Sequence, residues 1–348
     1  MSVPFYLAPM AELSHRALRE LIEEFGGCDG YFTEMISASA LLAGGPLEKW
    51  YIDTAPKPEK CVFQLLGSDI DDITKAAAAL NKLECAGIDI NMGCSAPLIR
   101  KTGAGAAWMA NIDRAGELIS RVRPHVSRRL SVKLRIGFKD DFNHLAQFCR
   151  RLEQEGVELI TLHPRLVSEK FKRLARWDYV SRLRSELKIP LAGNGDIGSA
   201  EELVRRAGQC DAVMVGRAAV KMPWIFAEAK TEEFTTNPPN NSTRERVDEK
   251  MQNGVDQLNA SFFINASGRT NQHEQKRGKE GYDIEKIGLR FLELLAKYQP
   301  PEFHISRARR FFSFFCDNLK WGTYLKNKLN REETLAGIEK VWKEFFST

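Results

Sequence analysis

Phe5-Tyr6-Leu7-Ala8-Pro9-Met10-Ala11-Glu12-Leu13 sets a short apolar run against a turn that contains no glycine. The run reads as a β-strand over Phe5–Met10. Runs of the same kind recur at Gly30–Met35, Cys61–Gly67, Gly87–Gly93, Leu130–Gly137, Leu159–Arg165, Pro190–Asp196 and Ala212–Arg217. Amphipathic stretches lie between them, among them Asp69–Ala86, Asn111–Val126, Asp141–Gly156 and Ser199–Gly208. Ser68-Asp69 and Ser199 offer side-chain oxygens to the free N–H groups of a helix start. Gly87, Gly156 and Gly208 fall where helices should stop. Such alternation implies a parallel sheet with helices outside it. Eight units are the count for a closed (β/α)8 barrel, the TIM barrel. The rival is a doubly wound open sheet, which predicts a G-x-G-x-x-G turn after the first strand; Met10-Ala11-Glu12-Leu13 stands there instead.

Beyond Lys230 the character changes. Residues 231–281 are rich in Asn, Gln, Ser, Thr and charge, with Pro238-Pro239, and read as a polar linker or irregular insertion. From 282 to 348 the pattern is helical: Ile284, Ile287, Phe291, Leu294 and Leu295, then Phe311–Leu319, then Leu335–Phe346. The expected organisation is therefore an α/β barrel over 1–230, the linker, and a small all-helical C-terminal domain.

At 348 residues and 43% hydrophobic, the chain can bury a large core and is not globally disordered. No apolar run approaches the roughly 20 residues that span a bilayer, and Glu12 comes too early for a signal peptide. The seven cysteines are scattered, with no C-x-x-C pair. That argues against a disulfide scaffold and a Cys-based zinc site, and for a reducing cytoplasm. No metal site and no membrane partner are expected. The net charge of +5 is compatible with RNA but argues for it only where the charge clusters.

Barrel chemistry sits at the C-terminal ends of the strands. There the sequence places Ala8-Pro9-Met10, Glu34, Gln64, Asn91-Met92-Gly93-Cys94, Lys133 with Arg135, His163 with Arg165, Asn194-Gly195-Asp196, and Gly216-Arg217. Any single polar strand end reaches water in ordinary proteins. This many together point to a polar ligand at the mouth. Phosphate in such barrels binds at the last two βα turns, where glycines let the backbone approach an anion.

This set, in this order, resembles the tRNA-dihydrouridine synthases, a family of FMN-dependent oxidoreductases. The matching residues are Ala8-Pro9-Met10, Gln64-Leu65-Leu66-Gly67, Asn91-Met92-Gly93-Cys94, Gly103-Ala104-Gly105-Ala106-Ala107, Lys133-Leu134-Arg135, His163-Pro164-Arg165, Asn194-Gly195-Asp196 and Asp211–Arg217. The likeness covers residues 3–226. More weakly, Ile305–Phe312 looks like the family's C-terminal RNA-binding domain. Three departures stand out. Ser95-Ala96-Pro97 replaces the proline that usually follows the cysteine, Leu166 replaces a usual threonine, and 231–281 has no counterpart.

The resemblance implies reduction of a uridine in tRNA to 5,6-dihydrouridine, with NADPH as reductant. It makes Cys94 the general acid that protonates C5, a role suited to a thiol because thiols stay mostly protonated at neutral pH. His163, Asn194, Gly216 and Arg217, with Gly195 and Asp196 beside them, would hold the FMN phosphate. Lys133 would lie by the flavin N1–C2=O edge, Gln64 at its imide edge, and Ala8, Pro9 and Met10 beneath the ring. Asn91 and Arg135 would address the uracil, with Arg165 beside them. Cys28, Cys61, Cys85, Cys149, Cys210 and Cys316 read as small core residues.

A base stacked in folded RNA must be flipped out to be reached, so the RNA backbone needs a grip. Arg100 and Lys101, then Lys170, Lys172 and Arg173, then Arg307, Arg309 and Arg310 are candidates. Phe311, Phe312, Phe314 and Phe315 read as core, with the arginines on the opposite face. The expected partner is tRNA, or ribosomal RNA in its place, bound by a monomer. Two alternatives stay open: a flavin barrel that acts on a free pyrimidine, and a non-catalytic RNA-binding barrel.

Overall fold

The computed structural model describes residues 2–236 and 281–347. Eight parallel strands close into a barrel in sequence order: β1 Phe5–Leu7, β2 Gly30–Ser37, β3 Cys61–Leu66, β4 Gly87–Met92, β5 Arg129–Gly137, β6 Leu159–Leu166, β7 Leu191–Asn194 and β8 Ala212–Val215. β8 pairs back onto β1, so the sheet has no free edge. The expected barrel is the one observed, and the open sheet is excluded.

Alternation along each strand sorts the side chains. Ile88, Ile90, Val132, Leu134, Ile160 and Leu162 are buried; they alternate with the polar Asp89, Asn91, Ser131, Lys133, Arg135, Thr161 and His163. At about 1.5–3 kcal/mol per fully buried aliphatic side chain, the apolar set supplies much of the stabilisation. The opposite set shares its face with a cluster formed by Tyr6, Ala8, Phe32, Val62, Leu159, Ala192, Ala212 and Met214. The polar residues thus sit above an apolar floor.

The strands differ in length from the sequence reading. β1 stops at Leu7, because Met10 already belongs to a tight turn in which its carbonyl accepts the N–H groups of Leu13 and Ser14. β2 runs on to Ser37, with a register irregularity between Phe32 and Met35. Gly87 is not a helix stop. It opens β4, where a Cβ would lie 2.4 Å from the Arg129 carbonyl oxygen, so only glycine allows that strand pair to close.

The helices are α1 Arg16–Glu23, α2 Ala38–Ala43, α3 Ile70–Leu80, α4 Pro97–Lys101, α5 Ile112–Val122, α6 Phe142–Gln154, α7 Trp177–Arg184, α8 Ala200–Ala207, α9 Arg217–Lys221 and α10 Ile225–Thr236. Asp69, Asn111, Asp141 and Ser199 cap α3, α5, α6 and α8, each accepting the N–H of the residue three places on. Such a cap contributes about 1 kcal/mol. Gly156 and Gly208 fall at helix ends as expected.

Two compact units are present: residues 1–14 with 29–216, and residues 15–28 with 217–348. The second contains α1, so the first helix of the chain belongs with the last ones. It also contains α11 Ile284–Tyr298, α12 Pro301–Phe315, α13 Gly322–Leu329 and α14 Leu335–Ser347. Phe291 stacks on Phe311 with centroids 3.6 Å apart, and Phe312 meets Trp342 at 4.6 Å. The helix read over Phe311–Leu319 is the end of α12, which starts at Pro301 and stops at Phe315. Thr231–Thr236 completes α10. The rest of the expected linker, residues 237–280, lies outside the described residues. Among the described residues no helix is long and apolar enough to cross a membrane.

Candidate active site

A chain of hydrogen bonds runs up the barrel wall from β5 to the Cys94 loop. Ser131 Oγ donates to Asp89 Oδ1 at 2.6 Å, and Gln64 Nε2 donates to Asp89 Oδ2 at 2.6 Å. Asn91 Nδ2 donates to Gln64 Oε1 at 2.8 Å. The backbone N–H groups of Gly93 and Cys94 then donate to Asn91 Oδ1 at 3.1 and 2.8 Å. Gln64 and Asn91, expected at the flavin and the uracil, therefore already use both ends of their amides. Each keeps one N–H for a further acceptor.

Cys94 is partly exposed, whereas Cys28, Cys61, Cys85, Cys149, Cys210 and Cys316 are all buried, as the sequence implied. Burial pushes the Cys210 thiol up to about 11 and the Cys316 thiol up to about 12. The Cys94 loop closes on Gly105, whose φ is +60° and whose added Cβ would lie 2.8 Å from the Cys94 carbonyl oxygen. The Ala106 N–H donates to that same carbonyl. Ser95 and Ala96 lead directly into α4, with Pro97 as its first residue.

Lys133 pairs in register with Asn91 on one side and Thr161 on the other. Burial and the neighbouring Arg135 charge lower its ammonium to about 8, against the pull of Asp89 and Cys94. Arg135 is buried and bridges three backbone carbonyls. Its Nε donates to Gly93 at 3.1 Å, and its Nη1 to Leu166 at 3.3 Å and Lys170 at 3.1 Å. It thereby ties the Cys94 loop to the loop after β6, and Phe171 of that loop lies over its guanidinium.

At the last strands, Asn194 Nδ2 donates to the Met214 carbonyl and Trp177 Nε1 donates to the Gly195 carbonyl. Gly195 has φ +127° and packs on the His163 ring. Arg165 lies against His163 Nε2 and is ion-paired to Asp196, whose other oxygen accepts the Ala175 N–H. Arg165 and Asp196, expected at substrate and cofactor, are thus bonded to each other. At the first strand, Met10 N donates to Ser14 Oγ, and Ala8 N to the Val215 carbonyl. Pro9 lies between them, and Gly216 follows β8 with Met10 Sδ 3.6 Å from where its Cβ would be.

The expected residues fall in both units. Arg217 is exposed and opens α9, in the other unit. Arg100 and Lys101 end α4. Arg307, Arg309 and Arg310 lie on α12, and they do not share a solvent face as the sequence implied. Arg307 is 1% exposed and sits over the Phe303 ring at 4.2 Å. Arg309 Nη2 donates to the Glu332 carbonyl, and only Arg310 is exposed. The helix is wrapped by its neighbours on more than one side, so a cation is drawn into the aromatic core.

Sequence reasoning missed Asp89, Ser131 and the task of Glu34. The Asp89 signal was present: a carboxylate inside a β-rich apolar run is out of place in a parallel strand buried on both faces. Glu34 Oε1 accepts the N–H of Glu12 at 2.6 Å, and so fixes the β1 turn where Glu12 adopts φ +64°.

A closed barrel whose rim holds one reachable thiol beside buried cations is the frame of a barrel enzyme. The chain belongs to the dihydrouridine synthase (Dus) family, whose model matches residues 6–275. It is similar to a probable tRNA-dihydrouridine synthase of Aquifex aeolicus, 33% identical over 232 residues, covering 64% of this chain and 72% of that protein. tRNA-dihydrouridine synthase B of Pasteurella multocida is 30% identical, covering 64% and 67%. The tRNA-dihydrouridine(16) synthase of Ralstonia nicotianae is 29% identical, covering 63% and 70%.

Proposed function

We propose that this protein is a cytoplasmic, monomeric enzyme that reduces a uridine in tRNA to 5,6-dihydrouridine with FMN as cofactor and NADPH as electron source. The observation that carries the reading is Cys94. It is the one cysteine of the chain that is not buried, and it stands at the end of β4 with its N–H held by Asn91.

The residues present fit a flavin mononucleotide. Among the described residues the Lys133 ammonium makes no hydrogen bond or ion pair, and Thr161 Oγ1 beside it is buried without a partner. A Cβ on Gly195 would lie 2.9 Å from His163 Cδ2, so glycine is what lets this turn pack directly on the His163 ring. Lys133 and Gln64 would hold the ring edge, Pro9 and Met10 the ring face, and His163, Asn194, Gly195 and Gly216 the phosphate. When bound, FMN supplies the hydride that reaches C6 of the uracil. The Cys94 Sγ–H gives its proton to C5, so one hydride and one proton add across the C5=C6 bond, and the thiolate regains a proton from solvent. Arg135 Nη2 has no protein acceptor among the described residues and can polarise a uracil carbonyl. The remaining Asn91 N–H can reach a second uracil oxygen. Arg100, Lys101 and the exposed Lys170, Lys172 and Arg173 would grip the RNA phosphates.

The test uses unmodified tRNA transcript, FMN and NADPH with the purified protein. Nucleosides gain the mass of two hydrogens at a uridine if the reading holds. Cys94→Ala should keep its flavin and lose that gain; a fully active Cys94→Ala variant would contradict it.

A further inference from the structure

Asp89 lies at the foot of the relay and touches neither the thiol nor the mouth. It is fully buried, as are Ser131 and Gln64. Burial raises its carboxyl to about 6, against the Ser131 and Gln64 hydrogen bonds and the Lys133 and Arg129 charges. Its two oxygens each accept a short hydrogen bond, Oδ1 from Ser131 Oγ and Oδ2 from Gln64 Nε2.

The Asp89 oxygen that faces Gln64 is an acceptor, and that orients everything above it. Gln64 must turn its Nε2 toward Asp89, which leaves Oε1 for Asn91. Asn91 must then give its Nδ2 to Gln64, which leaves Oδ1 for the Gly93 and Cys94 N–H groups. Reversing Asn91 alone would set its amide donor against the Gly93 and Cys94 N–H groups and lose both loop bonds, while reversing Gln64 alone would set acceptor against acceptor at Asp89 and donor against donor at Asn91. We propose that Asp89 is a positioning residue. The acceptor oxygen it presents to Gln64 Nε2 sets the polarity of the Gln64–Asn91 amide relay and thereby holds the backbone that carries Cys94. The importance of that grip for catalysis rests on Cys94 being the proton donor; the grip itself does not.

The relay has one other fully satisfied polarity, and this makes the proposal testable. With Asn91→Asp alone, carboxylates face both ends of the Gln64 amide and one end is left without a donor. With Asp89→Asn added, the new amide donates to Gln64 Oε1 and accepts from Ser131. Gln64 Nε2 then donates to the new carboxylate, which still accepts both loop N–H groups. Asp89→Asn alone is also tolerated, because the Ser131 hydroxyl can turn to accept.

The experiment is hydrogen exchange of the Gly93 and Cys94 amides in the full chain. Asn91→Asp should speed their exchange at least ten-fold. Asp89→Asn should stay within about three-fold of the native chain. The double variant should return to within that range, the non-additivity expected of directly coupled groups. If Asn91→Asp fails to fold while the double variant folds, the rescue is the same result. A double variant that exchanges as fast as Asn91→Asp, or an Asn91→Asp variant as protected as the native chain, overturns the proposal. Exchange needs no substrate, so a failure to form dihydrouridine would count against the proposed reaction and leave this result standing.

Discussion

Arg165 and Asp196 face each other from the turns after β6 and β7, Nη2 to Oδ1 at 2.5 Å, with the guanidinium side chain only 3% exposed. The guanidinium is buried while Asp196 keeps 23% of its side chain exposed, and splitting the pair is costly because it leaves the buried cation without its carboxylate. Asp196→Ala should destabilise the protein by about 3–5 kcal/mol, read as a shift in the urea midpoint. A loss below about 1 kcal/mol would mean that solvent already reaches the guanidinium.

Gly105 sits at φ +60° against the Cys94 carbonyl and Cβ. Gly105→Ala strains both the backbone and the contact, at a stability cost of about 1–3 kcal/mol. Because the clash falls on the thiol's own residue, uridine reduction should drop at least ten-fold, well beyond the loss of folded protein. Steady-state turnover per folded chain, counted by circular dichroism, measures this.

Lys133 predicts a pH dependence. Its folded ammonium is lowered to about 8 from the usual 10.5. The unfolded chain holds that proton more tightly, so the cost of burying it is fully present below about 8 and fades as pH rises toward 10.5. Lys133→Met should therefore stabilise the protein at pH 7 by about 1–2 kcal/mol and flatten the rise in stability between pH 8 and 10. Flavin affinity of the native chain should fall over the same window as the cation disappears.

The tail arginines should separate. Arg307 is packed over Phe303 and buried, so Arg307→Ala should lower Tm by several degrees and leave RNA affinity per folded chain unchanged. Arg310 is exposed, so Arg310→Ala should leave Tm alone and reduce the salt dependence of tRNA binding. The opposite pattern in filter-binding titrations would put the RNA on another face.

The barrel was legible because strand and helix periods alternate cleanly, and because the Met10–Leu13 turn lacks the glycines of an open sheet. Strand ends were legible as positions but not as partnerships. Nothing local to Arg165 says that Asp196 will claim it, since that depends on where two separate turns meet. Gln64 and Asn91 were assigned to ligands because their amides suit ligands. Their first obligations, to Asp89 and to the Cys94 loop, arise only when β3, β4 and β5 pair in register. Arg307 was misplaced for the same reason: one helix read alone has a single apolar face, and α12 in its bundle has more than one.

Helix α1 belongs with the C-terminal helices. Glu24, just past its end, is bound by Arg290 of α11 at 2.7 Å, and Phe25 packs edge-on to Trp224 and Tyr282. Synthesis runs from one end, so His15–Cys28 leaves the ribosome long before its helical companions exist. The second unit can be completed only once the tail has been made. Anyone who transplants that unit between relatives must carry the early segment along with it.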